Sequence, residues 1–191
     1  AFWRIQSFLP GGFMVKASDE RSFTKSLFFG DIQEDMVFPY PALDEEKRAR
    51  LAMILDSLRT FAQDTIHPKK IDHDACLPKE VVSGIKDLGL MGMQTPSEYG
   101  GLDLDTTSYA RIMQELATCD NSVAVFVGGH QSIGMKALLL FGTAEQKTKY
   151  LPKLATGEHI AAFALTEATA GSDVQGMKTR AVMNEDGSYT L

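Results

Sequence analysis

GTAEQKTKYLPKLATGEHIAAFAL, residues 142–165, holds the change of period that decides the fold. Its first part is helical: Thr143 and Gln146 have capping-box spacing and open a helix that ends near Leu154. After Gly157 the period shortens, and Ile160–Leu165 reads as a compact apolar strand. The chain therefore passes from helical to β structure here. Everything before it should be read for helices, and everything after it for strands.

Working backwards, four more helical segments are expected. Asp44 is an N-cap, Glu45 and Glu46 suit the positive end of a helix dipole, and Leu51, Ile54, Leu55, Leu58, Phe61 and Ala62 form an apolar face to about Ile66. Pro68 should stop this helix. Pro78 suits a first helical position, Val81, Val82, Ile85 and Leu88 make the next stripe, and Gly89 closes it. Ser97–Asp105 reads as a loop, followed by a stripe of Tyr109, Ile112, Met113, Leu116 and Ala117. A fourth helix over about Ser122–Leu140 is apolar almost all round, which predicts a central position. Residues 1–43 form an irregular extension punctuated by Gly, Phe and Pro, with one short helix around Ser22–Phe29.

Working forwards, Arg180–Met183 and Tyr189–Leu191 bracket the turn residues Asn184–Gly187. The fold class is α+β: an all-α bundle over 44–157 leading into the first strands of a β domain over 158–191. The last residues stop inside an expected strand that has too few partners to close a sheet, so the sequence reads as cut rather than finished.

Composition narrows the function. Hydrophobic residues make up 44% and charged residues 23%, a globular balance, and a net charge of −6 disfavours a nucleic-acid surface. No uninterrupted apolar run approaches the roughly 20 residues of a membrane span, so no transmembrane segment is expected. The N-terminal stretch with Phe2, Trp3, Phe8 and Phe13 is a poor signal or transit peptide, although processing stays open because the chain begins with Ala. Cys76 and Cys119 read as free thiols of a reducing compartment, and the four scattered histidines give no metal site.

Two stretches invite chemistry. GGHQSIGMK, residues 128–136, lacks phosphate-loop spacing and reads better as small residues inside a helix, allowing close approach of another helix or a ligand. AFALTEATAGSD, residues 162–173, is stronger. A strand edge followed by small residues can bring main-chain groups up to a planar heterocycle, with hydroxyls from Thr166 and Ser172, and Gly171 lets an anionic group approach. A strand, a turn and a cap would account for the same residues.

Together, PSEYGG (96–101), GTAEQKTKYLPKLATGE (142–158) and AFALTEATAGSD resemble the acyl-CoA dehydrogenase family. FPYP, the GHQSIG helix and the long N-terminal extension are most similar to its very-long-chain branch. The resemblance covers about Phe38–Leu191. It implies FAD, with Phe163, Ala164, Leu165, Thr166, Glu167, Ala168, Thr169, Ala170, Gly171 and Ser172 as one wall of the cofactor site. Within that wall Phe163, Leu165 and Thr166 approach the flavin ring, while Gly171 and Ser172 lie by the pyrophosphate and the acyl-CoA. Ala168 departs from the family's usual Pro, which loosens the turn but removes no ligand group.

The implied reaction is α,β-desaturation of a fatty acyl-CoA in β-oxidation, with electrons passing to electron-transfer flavoprotein. The implied catalytic base is a Glu beyond residue 191, so no catalytic residue is assigned here, and residues 1–191 alone should be inactive. Glu167 and Asp173 are read as bracing or capping the loop rather than as bases. Ala124 and Gly128, small and four apart, would border an acyl tunnel able to take long chains, or simply allow close helix packing. The resemblance further implies a homo-oligomer when complete, in the cytoplasm of a bacterium or the mitochondrion of a eukaryote. A second class stands beside the enzyme: a non-catalytic scaffold or assembly factor with the same fold.

Overall fold

The computed structural model describes residues 22–40 and 42–191, so Phe2, Trp3, Phe8, Phe13 and most of the expected extension lie outside the described residues. The described residues fall into two units divided between Ala42 and Leu43. In the first unit, α1 (Phe23–Phe28) stands where a short helix is expected, and the Ser22 hydroxyl accepts from the Lys25 N–H at 3.3 Å. Neither α1 nor the 3₁₀ turn Glu34–Met36 buries a residue.

The second unit begins with α2 (Glu45–Thr65). The Asp44 carboxylate caps it by accepting from the Lys47 N–H at 2.8 Å, which satisfies one of the first-turn donors that no carbonyl can reach. Leu51, Leu55, Leu58 and Ala62 form its buried face. Pro68 corrects the sequence expectation. It does more than end a helix, because it opens another, α3 (Pro68–Asp74), where its missing N–H costs nothing. Pro78 precedes α4 (Lys79–Asp87), which buries Val81 and Ile85 and stops at Gly89, whose φ is +71°. Within the expected loop, Ser97–Tyr99 forms a 3₁₀ turn.

Asp105 caps α5 (Thr106–Cys119) through the Ser108 N–H at 2.9 Å, and Asp120 caps α6 (Asn121–Gly128) through the N–H groups of Ser122 and Val123. A π-helical segment, Gly129–Met135, and α7 (Lys136–Phe141) continue the same 21-residue helix. The Lys136 N–H reaches back five residues to the Gln131 carbonyl. α8 (Ala144–Ala155) opens with the expected reciprocal box: Gln146 N–H to Thr143 Oγ1 at 3.2 Å and Thr143 N–H to Gln146 Oε1 at 2.9 Å.

α2 packs on α5, α5 on α6, and α8 closes against the turns Leu90–Gly92 and Ser97–Tyr99. The core contains Leu58, Ile85, Leu90, Met91, Ile112, Leu116, Val123 and Val127. The long helix is not central all round, contrary to the sequence expectation. Val123, Ala124 and Val127 face the core, whereas Val125, Ile133, Leu140 and Phe141 are exposed. Averaged rather than counted residue by residue, this helix has a mean hydropathy of 1.3 and is, by length and composition, able to cross a bilayer. Its buried His130 and Gln131 belong instead to the bundle.

Beyond α8 a further expectation is corrected. Ile160–Leu165 is not a strand: among the described residues no neighbouring strand pairs with it. The turn at Asn184–Gly187 does join two short strands, β1 (Val182–Met183) and β2 (Tyr189–Thr190), antiparallel with Val182 opposite Thr190.

Candidate functional site

The chain reverses after α8 at Gly157, whose φ of +74° suits a residue without a side chain. The Gly157 N–H returns to the Leu154 carbonyl at 3.0 Å, and the His159 N–H to the Lys153 carbonyl at 3.0 Å. His130, from the π segment, spans the reversal. Its Nδ1 accepts from the Ala161 N–H at 2.9 Å, which leaves Nε2–H to donate to the Leu154 carbonyl at 3.0 Å. These two bonds require the neutral ring with its proton on Nε2. Burial of the ring, at 1% exposure, holds its pKa below the ordinary histidine value.

Two further features of the same turn matter. A Cβ placed on Gly134 would overlap the Cβ of Ala161, so only glycine allows this approach. Gln131 donates to the Leu90 carbonyl at 2.7 Å and accepts from the Gln94 N–H at 3.4 Å. The wider π turn thus lets adjacent polar side chains both reach the interior, one serving each flank of the bundle.

The sequence-assigned wall lies next along the chain. Ala162, Phe163, Ala164 and Thr166 are exposed or partly so, and Leu165 is half-buried. Among the described residues nothing hydrogen-bonds to the main chain of 162–166. Glu167 and Ala170 then exchange main-chain bonds, at 2.8 Å for the Glu167 N–H and 3.3 Å for the Ala170 N–H. Ala168 and Thr169 form the exposed tip, and Ala170 is buried. This tight turn brings the flanking residues together: a Cβ on Gly171 would stand 3.4 Å from Thr166 Cγ2. Ser172 is exposed beside them.

Both loop carboxylates are engaged. Glu167 accepts from the Thr179 N–H at 2.8 Å and the Lys178 N–H at 2.9 Å. Hydrogen bonding from Thr179, followed by that from the Lys178 N–H, holds its pKa below the usual glutamate value. Asp173 accepts from the Gly176 N–H at 3.2 Å and so caps the 3₁₀ turn Val174–Gly176.

The pair assigned to substrate sits elsewhere on the long helix. Ala124 is part of the core, and a Cβ on Gly128 would lie 3.1 Å from Met113 Cε of α5. His130 and Gly134 of this helix both meet Ala161, at the start of the 161–172 segment. Sequence reasoning misses them individually, although the small residues of GGHQSIGMK do signal close approach. Among the described residues, no group of three or more His, Cys, Asp or Glu could hold a metal, and Cys76 and Cys119 are free thiols.

The residues that the sequence assigns to the cofactor would suit a planar heterocycle: among the described residues nothing bonds to the main chain of 162–166, and an exposed aromatic, a hydroxyl and a compact turn of small residues accompany it.

The sequence profile of the acyl-CoA dehydrogenase N-terminal domain matches residues 48–158. The human mitochondrial very long-chain specific acyl-CoA dehydrogenase is 42% identical over 90% of this chain. The chain spans about a quarter (26%) of that relative's length. The structure of an acyl-CoA dehydrogenase complexed with FAD from Bacillus anthracis superposes with a TM-score of 0.66 at 38% identity, covering 82% of this chain and 26% of that one. Butyryl-CoA dehydrogenase from Megasphaera elsdenii gives 0.67 at 32% identity, covering 79% and 40%. The chain belongs to the acyl-CoA dehydrogenase family and carries its N-terminal domain.

Proposed function

We propose that the complete protein is an FAD-dependent acyl-CoA dehydrogenase that desaturates long-chain fatty acyl-CoA between Cα and Cβ, and that residues 163–172 form one wall of its flavin site. The observation that carries this reading is the main chain of 162–166, to which nothing among the described residues hydrogen-bonds, held between the His130–Ala161 bond and the Glu167–Ala170 turn. Such a stretch offers preset donors and acceptors without a large cost of ordering them.

Bound FAD would supply the acceptor for the β-hydride. The chain's own residues bind and orient. The Thr166 hydroxyl and the main chain of Phe163 and Leu165 address the ring, while Gly171 and Ser172 admit the pyrophosphate and the acyl-CoA. Glu167 is tied to Lys178 and Thr179 and would brace the loop rather than take the α-proton, for which the family resemblance implies a Glu beyond residue 191. Ala124 and Gly128 would border the acyl tunnel from the α5–α6 side. Residues 158–191 would open a β domain, electrons would leave to electron-transfer flavoprotein, and the complete protein would be a homo-oligomer. Its compartment is the cytoplasm in a bacterium or the mitochondrion in a eukaryote.

The test is the absorbance of the purified full-length protein before and after anaerobic palmitoyl-CoA, alongside Thr166→Val. A yellow protein bleached by the thioester is expected, with weaker flavin binding in the variant. A colourless protein would overturn the proposal, and an unshifted flavin spectrum with full occupancy in Thr166→Val would remove Thr166 from the site.

A further inference from the structure

We infer that His130 is a positioning residue for the flavin wall: it fixes Ala161 against the end of α8 and so sets where Phe163–Thr166 stands. The inference rests on the flavin reading above. Three observations support it.

The first is that one buried imidazole joins residues on both sides of the reversal, Leu154 before it and Ala161 after it. Ring and main chain are locked together, since exchanging the ring's donor and acceptor would break both bonds. The second is that Gly134, one helical turn further on, seats Ala161 by close contact. Ala161 is therefore held from two sides by one helix. The third is the bare backbone beyond Ala161. From Ala162 to Thr166 nothing among the described residues hydrogen-bonds to the main chain, and the next main-chain anchor is Glu167 with Ala170. Five residues are strung between two anchors, and the register of the wall depends on the first of them.

A core histidine that only fills space would also be buried and bonded. Two amide substitutions separate the roles. In His130→Asn the side-chain oxygen can replace Nδ1 toward Ala161 but cannot reach Leu154. In His130→Gln the amide can reach Leu154 but gives up the acceptor at the Nδ1 position. Both variants lose core packing; only Gln frees Ala161.

Full-length wild type and both variants would be compared by FAD dissociation constant, visible flavin spectrum, and hydrogen exchange of the Ala161 amide in the apoprotein. Their denaturation midpoints would be recorded alongside. We expect His130→Gln to weaken FAD binding about five- to tenfold, shift the flavin band and speed exchange of the Ala161 amide, at a midpoint similar to that of His130→Asn. His130→Asn should keep the wild-type spectrum and exchange pattern. Flavin binding unchanged in both variants would overturn the positioning role, as would equal losses in both. A wild-type protein without flavin would instead overturn the flavin reading.

Discussion

The bundle and the segment that leaves it are stabilised by different forces. In residues 43–158, Leu58, Ile85, Ile112 and Leu116 have no exposed surface. Beyond His159 only Ala170 is buried, while Phe163, Val182 and Tyr189 stand largely in solvent. Burying a large apolar side chain is worth about 1.5–3 kcal/mol, against a net of about 0.5–1.5 kcal/mol for a hydrogen bond. The bundle is therefore held by area. The segment beyond it is held by a few directed contacts, from His130, Glu167, Asp173 and the turn between Asn184 and Ser188. Stability and candidate chemistry are carried by separate parts of the chain.

The largest test of this contrast is Leu116→Ala, which should cost about 2–5 kcal/mol by urea denaturation. Val182→Ala in the exposed β1 should stay within about 0.5 kcal/mol. Similar losses at both positions would break the comparison.

The junction sharpens it. Gly134→Ala gains helix propensity of about 1 kcal/mol but loses about 1–3 kcal/mol by overpacking on Ala161, so a small net destabilisation is expected. Adding Ala161→Gly should restore stability in a double-mutant cycle, because it removes the overlapping methyl. Failure to restore it would show that the contact with Ala161 is not what excludes a side chain.

Acid should loosen the same junction. Burial lowers the folded pKa of His130, so between that value and the ordinary 6.5 the unfolded chain binds the extra proton. Its contribution to stability is complete above 6.5 and is lost as pH falls through the folded pKa. Asp44, Asp105 and Glu167 are also lowered, from ordinary values of 3.8, 3.8 and 4.5, and so act in a more acidic window. Denaturation midpoints should fall between pH 7 and 5 in wild type and change less in His130→Gln.

The smallest global effect is expected from Glu167→Gln, within about 0.5 kcal/mol. Amide exchange at Lys178 and Thr179 should nevertheless quicken, because their acceptor loses its charge.

Legibility in the sequence divides along the same line. Caps and stripes are local, so Asp44, the Thr143–Gln146 box and the apolar face of α2 could be read directly. α3 could not, because it has seven residues and only Ile71 is buried, too little to show a period. The apolar run Ile160–Leu165 reads as a strand in sequence but is none in the structure, since a strand requires a neighbour and composition names none. The π turn leaves no mark on hydropathy, and a solitary histidine has no spacing to interpret. Glu167 was legible as a brace, whereas its partners Lys178 and Thr179 emerged only when the loop folded back.

An apolar helix of 21 residues leaving the ribosome can partition into a bilayer before α8 has followed it. In Asn121–Phe141 the midpoint is occupied by His130 and Gln131, and Lys136 lies five residues on. In hydrocarbon the ring and the amide would lack the carbonyls of Leu154 and Leu90 and the N–H of Ala161, with no water in their place. The polar pair, of which His130 ties the bundle to its exit segment, would therefore also penalise mis-sorting, biasing the nascent helix toward the fold and away from the translocon.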